Sequence, residues 1–316
     1  MTKGSGRRSV TSVARFLAAL GIVVAIGACS SSGAKSPDAG SIVAGRPYGF
    51  KVPTGYDSNM PTPLVILLHG YTGTGAGQES YFQLGAIADE QTFLYAYPDG
   101  TSDPTGRQFW NADDACCDFF GSGVDDVAYL DAMIDDISSK YTVDPKRIFV
   151  VGHSNGAFMA HRLACDLSNR IAAIAGLAGA VWNDASKCNP TGPVSVLDVH
   201  GDADVVIGYG GGAVAANLVA PGVPSNAQPP YPSEAQTMAT WAAKNGCTGA
   251  LATDGFVFDL DTLLPGAETT ESVYAGCPSG VAVDLWTITG GSHVPALAQP
   301  KWGGAVYGFL KKHPKP

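Results

Sequence analysis

Residues 147–166, RIFVVGHSNGAFMAHRLACD, limit the fold more tightly than any other stretch. An apolar, β-branched run, Ile148-Phe149-Val150-Val151, stops at Gly152-His153-Ser154-Asn155-Gly156 and gives way to Met159, Ala160, Leu163 and Ala164 at helical spacing. The pattern predicts a strand, a tight turn and a helix. Glycines two before and two after Ser154 keep side chains out of the cramped crossing, so the hydroxyl is expected exposed at the apex. Ser154 is therefore the candidate nucleophile. The five-residue pattern is short, and the flanking strand and helix carry much of the inference.

Along the rest of the chain, apolar runs alternate with helical patterns, which argues for an α/β fold with a mostly parallel central sheet flanked by helices. Strands are expected at Tyr48–Val52, Pro63–His69, Phe93–Tyr97, Ile148–His153, Ile171–Ala178, Val194–His200 and Val281–Thr289. Helices are expected at Ser80–Gln91, Val124–Tyr141, Gly156–Asp166, Ser233–Asn245 and Ala298–Lys312. The Gly, Ala and Pro-rich segment Gly208–Pro232 follows a strand end, where loops form the rim of a site in parallel sheets. It reads as rim or partial cover, or as an insertion without function.

A serine hydroxyl is a poor nucleophile near neutral pH and needs a base to take its proton. Of six histidines, His69 and His200 end strands in His-Gly pairs, His153 adjoins the nucleophile, His161 lies on a helix and His313 in the tail. His293, in Gly290-Gly291-Ser292-His293 after a late strand, is expected to be the base. A carboxylate must fix its tautomer, and the run His200-Gly201-Asp202-Ala203-Asp204-Val205-Val206-Ile207 offers two. Asp204 lies farther past the strand end and is preferred, with Asp202 as a turn residue bonding to amides. The order Ser154, Asp204, His293 matches that of α/β-hydrolases. Acyl transfer also needs donors for an oxyanion. These are expected from the backbone amides of Asn155 and Tyr71, with Thr72 as the alternative to Tyr71.

At the amino end, Lys3, Arg7, Arg8 and Arg15 precede the apolar run Phe16–Ile26, followed by Gly27-Ala28-Cys29 and a serine-rich stretch. This describes an export signal of lipoprotein type, residues 1–28, with Cys29 as the acylated first residue. Residues 29–45 read as a flexible tether and 46–316 as one catalytic domain. The chain has 19 basic and 28 acidic residues, a formal charge of −9; without the four basic residues of the signal, 15 face 28 and the charge is −13. Nucleic acid is excluded as a partner, because binding it needs a basic footprint. Cys29 apart, six cysteines remain, and in an exported chain disulfides are the default. Short local loops favour Cys165–Cys188 and Cys247–Cys277, leaving Cys116–Cys117. The spacing does not suit zinc, and neither metal nor cofactor is expected.

The motifs LLHGYTGTG, YPDG, FWNADDACC, VDDVAYL, VGHSNGAFMAHRLACD, VHGDADVV and GGSH resemble, in order and spacing, extracellular esterases grouped as polyhydroxybutyrate depolymerase-like and feruloyl-esterase-like α/β-hydrolases. The likeness runs from about Arg46 to the carboxyl end. It implies an α/β-hydrolase fold, hydrolysis of carboxylic esters, and Ser154, Asp204 and His293 as nucleophile, acid and base. GGSHVPA lacks the tryptophan that often follows this histidine in relatives. Feruloyl, aryl or short acyl esters are the expected substrates, and soluble hydroxyalkanoate oligomers a further class. Acyl transfer to a cell-wall sugar, or ligand binding on a hydrolase scaffold, are the alternatives. Tyr71 and Trp110 are candidates to touch substrate, and Trp110 is equally placed to be buried under the Cys116-Cys117 loop. Asp125 and Asp126 read as helix-capping residues, and Asp113-Asp114 as a solvated loop pair.

Overall fold

The computed structural model of the chain describes residues 39–215, 222–223 and 228–316. The export signal, Cys29 and the first part of the tether lie outside the described residues, as do 216–221 and 224–227 of the Gly208–Pro232 segment.

Among the described residues nine strands form one sheet: β1 (Tyr48–Lys51), β2 (Thr62–Leu68), β3 (Leu94–Pro98), β6 (Val143–His153), β7 (Ala173–Leu177), β8 (Ser195–Gly201), β9 (Leu251–Phe258), β10 (Thr269–Tyr274) and β11 (Val283–Ile288). Their order is β1-β3-β2-β6-β7-β8-β11-β10-β9. From β3 to β11 every neighbouring pair is parallel, and β1, β10 and β9 add antiparallel edges. A two-stranded hairpin, β4 (Thr101–Ser102) with β5 (Gln108–Phe109), stands apart.

The central strands are apolar without alternation because both faces are covered. Successive residues of β2 point to opposite sides: Leu64, Ile66 and Leu68 enter one core layer, Val65 and Leu67 the other. Helices α4 (Asp126–Lys140), α5 (Asn155–Asp166) and α6 (Glu234–Asn245) close the first layer through Met133, Phe158 and Trp241. Helices α2 (Gly75–Phe82), α3 (Leu84–Gln91) and α7 (Lys301–Leu310) close the second through Phe82, Ile87 and Trp302. The fold class is the expected α/β arrangement.

Local chemistry sets the helix starts. Asp125 accepts the Ala128 amide at the start of α4, the expected capping role. Ser233 and Gln236 form a reciprocal capping box at α6. Asp126 follows in the first turn, where the helix dipole favours a carboxylate, and is also buried and paired with Arg46 at 2.6 Å. Three expectations are corrected. The helix expected at Ser80–Gln91 is two helices, broken at Gln83, whose φ of 53° turns the chain out of the first. Ala39–Ala44 forms the short helix α1 beside α4, in the part of the chain read as tether. Asp113 is buried and accepts the Ala115 and Cys116 amides, while Asp114 pairs with Lys187 at 2.6 Å.

Candidate active site

Four loops at the carboxyl ends of parallel strands meet over the middle of the sheet, following β2, β6, β8 and β11. The turn after β6 carries Ser154, with φ 54° and ψ −123°. Non-glycine residues rarely hold a positive φ, and this one is fixed by its surroundings. Its amide donates to the Leu177 carbonyl at 2.8 Å. A Cβ on Gly152 would lie 2.1 Å from the Gly156 carbonyl oxygen, and one on Gly156 2.2 Å from that of Leu68. Neither site can hold a side chain unless backbone moves, the physical reason for the G-x-S-x-G spacing.

The loop after β11 brings His293 to the serine. Its Nε2 lies 3.0 Å from Ser154 Oγ, and its Nδ1 lies 2.6 Å from Asp204 Oδ2. A carboxylate at Nδ1 holds the proton there and leaves the Nε2 lone pair facing the hydroxyl. Asp204 is itself oriented, its Oδ1 accepting the Val206 and Ile207 amides at 2.7 and 3.0 Å. Burial alone would raise its pKa; hydrogen bonds from His200 and His293 hold the carboxyl well below the usual range. Asp202 lies away from His293, its Oδ1 accepting the Gly290 amide at 2.6 Å.

The loop after β2 presses against Ser154: a Cβ on Gly70 would stand 3.2 Å from that of the serine. His69 shapes this loop. Its Nε2 accepts the Gly100 amide at 2.8 Å, so Nδ1 is the protonated nitrogen and donates to the Gly70 carbonyl at 2.8 Å. The Thr72 amide is engaged with the Gln108 carbonyl at 2.9 Å, whereas that of Tyr71 has no backbone acceptor among the described residues. At the first turn of α5 the Asn155 amide also lacks an intrahelical acceptor, and the positive end of the helix dipole lies there.

Trp110 is fully buried and does not line the cleft, which corrects its reading as a substrate-stacking residue. Its Nε1 donates to the His69 carbonyl at 3.1 Å, and its backbone exchanges hydrogen bonds of 2.7 and 2.9 Å with the Asn155 side chain. It thus clamps the β2 loop to the nucleophile turn. Tyr71 does line the cleft, with its hydroxyl donating to Asp103 Oδ2 at 2.6 Å. The cysteines pair as Cys116–Cys117, Cys165–Cys188 and Cys247–Cys277, and Cys117 forms part of the cleft wall.

The cleft holds about 280 Å³, and Val206, Ile207, Val214 and Val294 supply its apolar lining. Val214 is the described part of the Gly208–Pro232 segment that reaches it. Two further histidines, one at the end of β8 and one beside Ser154, belong to this region. His153 donates to the His293 carbonyl, and His200 lies 3.3 Å from Asp204 Oδ2. The first contact joins two different loops and no local spacing announces it, whereas the second closes within the four residues from the end of β8 to its own loop.

Residues 56–236 match the phospholipase/carboxylesterase family of α/β-hydrolases. The chain belongs to that family. As a carboxylesterase-family protein it is 32% identical over 255 residues to Feruloyl esterase B of Piromyces equi, covering 80% of this chain and 43% of that protein. This chain therefore spans less than half the length of that relative. It is 24% identical over 266 residues to Feruloyl esterase D of Neurospora crassa, covering 81% of this chain and 76% of the relative. An acetyl xylan esterase from Aspergillus awamori shares the fold, with a TM-score of 0.56 at 18% identity over 82% of this chain and 93% of that one. That family membership agrees with the α/β-hydrolase likeness its motifs imply.

Proposed function

We propose that the protein is an exported serine carboxylesterase, lipid-anchored through Cys29, whose catalytic domain spans residues 46–316 and acts through Ser154, His293 and Asp204. The observation that supports this most is a single imidazole within hydrogen-bond reach of both the Ser154 hydroxyl and the Asp204 carboxylate, 3.0 and 2.6 Å away, at the wall of an open cleft. His293 Nε2 takes the hydroxyl proton as Oγ attacks the ester carbonyl carbon. The oxyanion is held by the Asn155 and Tyr71 amides, one such donor contributing about 2.7–4 kcal/mol. On collapse the carbonyl-to-alcohol bond breaks and the leaving oxygen takes the proton from Nε2. Water, deprotonated by the same nitrogen, then attacks the acyl-enzyme and releases the acid. Asp204 stays ionised throughout.

The small cleft with its valine and isoleucine lining suits a short acyl chain or one phenolic ring. Feruloyl-type and short-chain acyl esters are the assigned substrates, with soluble hydroxyalkanoate oligomers as a further class. Three cysteine pairs support an oxidising, extracytoplasmic compartment. A product-resolved screen of p-nitrophenyl acyl esters, methyl ferulate and a hydroxybutyrate oligomer tests the reading, together with fluorophosphonate labelling. Labelling at Ser154 and release of free acid are expected; an unlabelled, inactive protein sinks it. Cys29→Ala should move the protein from membrane to soluble or unprocessed fractions, and unchanged detergent partitioning would remove the anchor.

A further inference from the structure

Behind Asp204 lies a second buried pair. His200, at the end of β8, has its Nδ1 2.5 Å from Glu234 Oε1, its Nε2 2.8 Å from the Ile207 carbonyl oxygen, and that same Nε2 3.3 Å from Asp204 Oδ2. The His200 and Glu234 side chains are 1% and 2% exposed. We propose that His200 and Glu234 form a positioning pair that shares the Asp204 carboxylate with His293 and so divides the hold of that carboxylate between two imidazoles. The inference rests on the triad reading above.

The proton count argues for it. A carbonyl oxygen only accepts, so Nε2 of His200 carries a hydrogen, directed between Ile207 and Asp204. One further proton lies between Nδ1 and Glu234, and wherever it sits the pair is neutral as a whole. Burial alone would lower the His200 pKa, but the Glu234 charge and the Asp204 hydrogen bond carry it up to about 10. Burial pushes the Glu234 carboxyl up while the His200 charge and hydrogen bond pull it down; with Asp204 also facing Nε2, the shared proton is assigned to His200, an imidazolium between two carboxylates. Such a buried cation is tolerable only when paired.

Glu234 is delivered to this position by the first turn of α6, behind its Ser233 cap. The remaining groups around the pair are accounted for. His161 and Asp198 face Glu234, Glu234 and Asp204 both face Tyr231, and His153 feels His293, Asp204 and His200. Trp241 Nε1 donates to His161 Nδ1 at 2.9 Å, which leaves the His161 proton on Nε2, 3.1 Å from Asp198 Oδ1. Tyr209 packs edge-on against His200, and its hydroxyl lies 2.8 Å from Thr287 Oγ1.

A plain structural link between α6 and β8 would not need charge at the back of the acid. An imidazolium there has a chemical consequence. It takes hydrogen bonding and charge from Asp204 that would otherwise act on His293 alone.

The test replaces both members by neutral amides, His200→Gln with Glu234→Gln. With the cation gone, Asp204 acts on His293 undivided, and the acid limb of kcat/KM should move up by on the order of one pH unit. A structural role would lower the rate at every pH and leave the limb in place. A limb that stays or moves down, in a wild type that labels at Ser154 with fluorophosphonate, overturns the pair and leaves the triad standing. An unlabelled wild type removes the triad reading and this one with it. Where the double variant does not fold, nitrogen-15 shifts of the wild-type imidazoles decide. Both His200 ring nitrogens should stay protonated at pH 8, and a neutral ring there refutes the proposal.

Discussion

His153 Nε2 donates to the backbone carbonyl of His293 across 3.0 Å. The residue before Ser154 thereby holds the loop that carries the candidate base. Burial and the neighbouring His293 charge push His153 down to about 3, so it stays neutral and keeps this donor through the whole neutral range. Its ring is wedged by Tyr81 and Phe82, which fix its direction.

Replacing His153 with Phe should keep the wedge and delete the donor. A neutral hydrogen bond contributes about 1 kcal/mol, so kcat on a soluble aryl ester should fall on the order of tenfold or less, with KM within about twofold. The acid limb of the pH profile should not move, because His153 does not titrate there. An unchanged kcat would end its positioning role.

The backbone at Ser154 gives a second expectation. Its φ of 54° is the region that favours glycine, and a side chain held there costs about 1–3 kcal/mol. Ser154→Ala and Ser154→Gly should both abolish turnover. The glycine variant should be the more stable of the two by about 1 kcal/mol, after the extra chain entropy it loses on folding. Urea melts of the two variants read this directly, and equal midpoints would mean that the turn is not held against its own preference.

Much of this arrangement was legible in the sequence because the central strands are buried on both faces and must therefore be apolar runs. The nucleophile turn was legible for a different reason, since two glycines there are forced by backbone contact. The β9–β10 hairpin was not. Most of Leu251–Phe258 is exposed on both sides, so it has neither an apolar run nor alternation. The break at Gln83 was equally silent, because the left-handed residue is not glycine. The parts of the site that the sequence hid are the contacts between loops. His69, His153 and His200 each look like the end or start of an element, and their partners Gly100, His293 and Glu234 are 31, 140 and 34 residues away.

Trp110 takes the buried one of its two expected places. It sits under Arg46, 5.2 Å from its ring, and bonds to the His69 carbonyl rather than facing the cleft. Trp110→Phe removes the indole donor and leaves a buried carbonyl without it, a loss of about 1–3 kcal/mol in stability. KM for methyl ferulate should stay within about twofold. A tenfold rise in KM with unchanged stability would return Trp110 to the substrate.

The two aspartates after β8 should separate cleanly. Asp204→Asn removes the charge that stabilises the His293 imidazolium and presents an amide donor where Nδ1 needs an acceptor, so kcat/KM should fall by a factor on the order of 10⁴. The loss should exceed any from folding, since an amide oxygen can still accept the Val206 and Ile207 amides. Asp202→Asn keeps an oxygen for the Gly290 amide in an exposed turn, and its turnover should stay within roughly tenfold, under about 1.4 kcal/mol. Both values are measured on one soluble aryl ester, with folding followed by circular dichroism. The reverse ranking would move the acid to Asp202 and require the His293 loop to reorganise toward it.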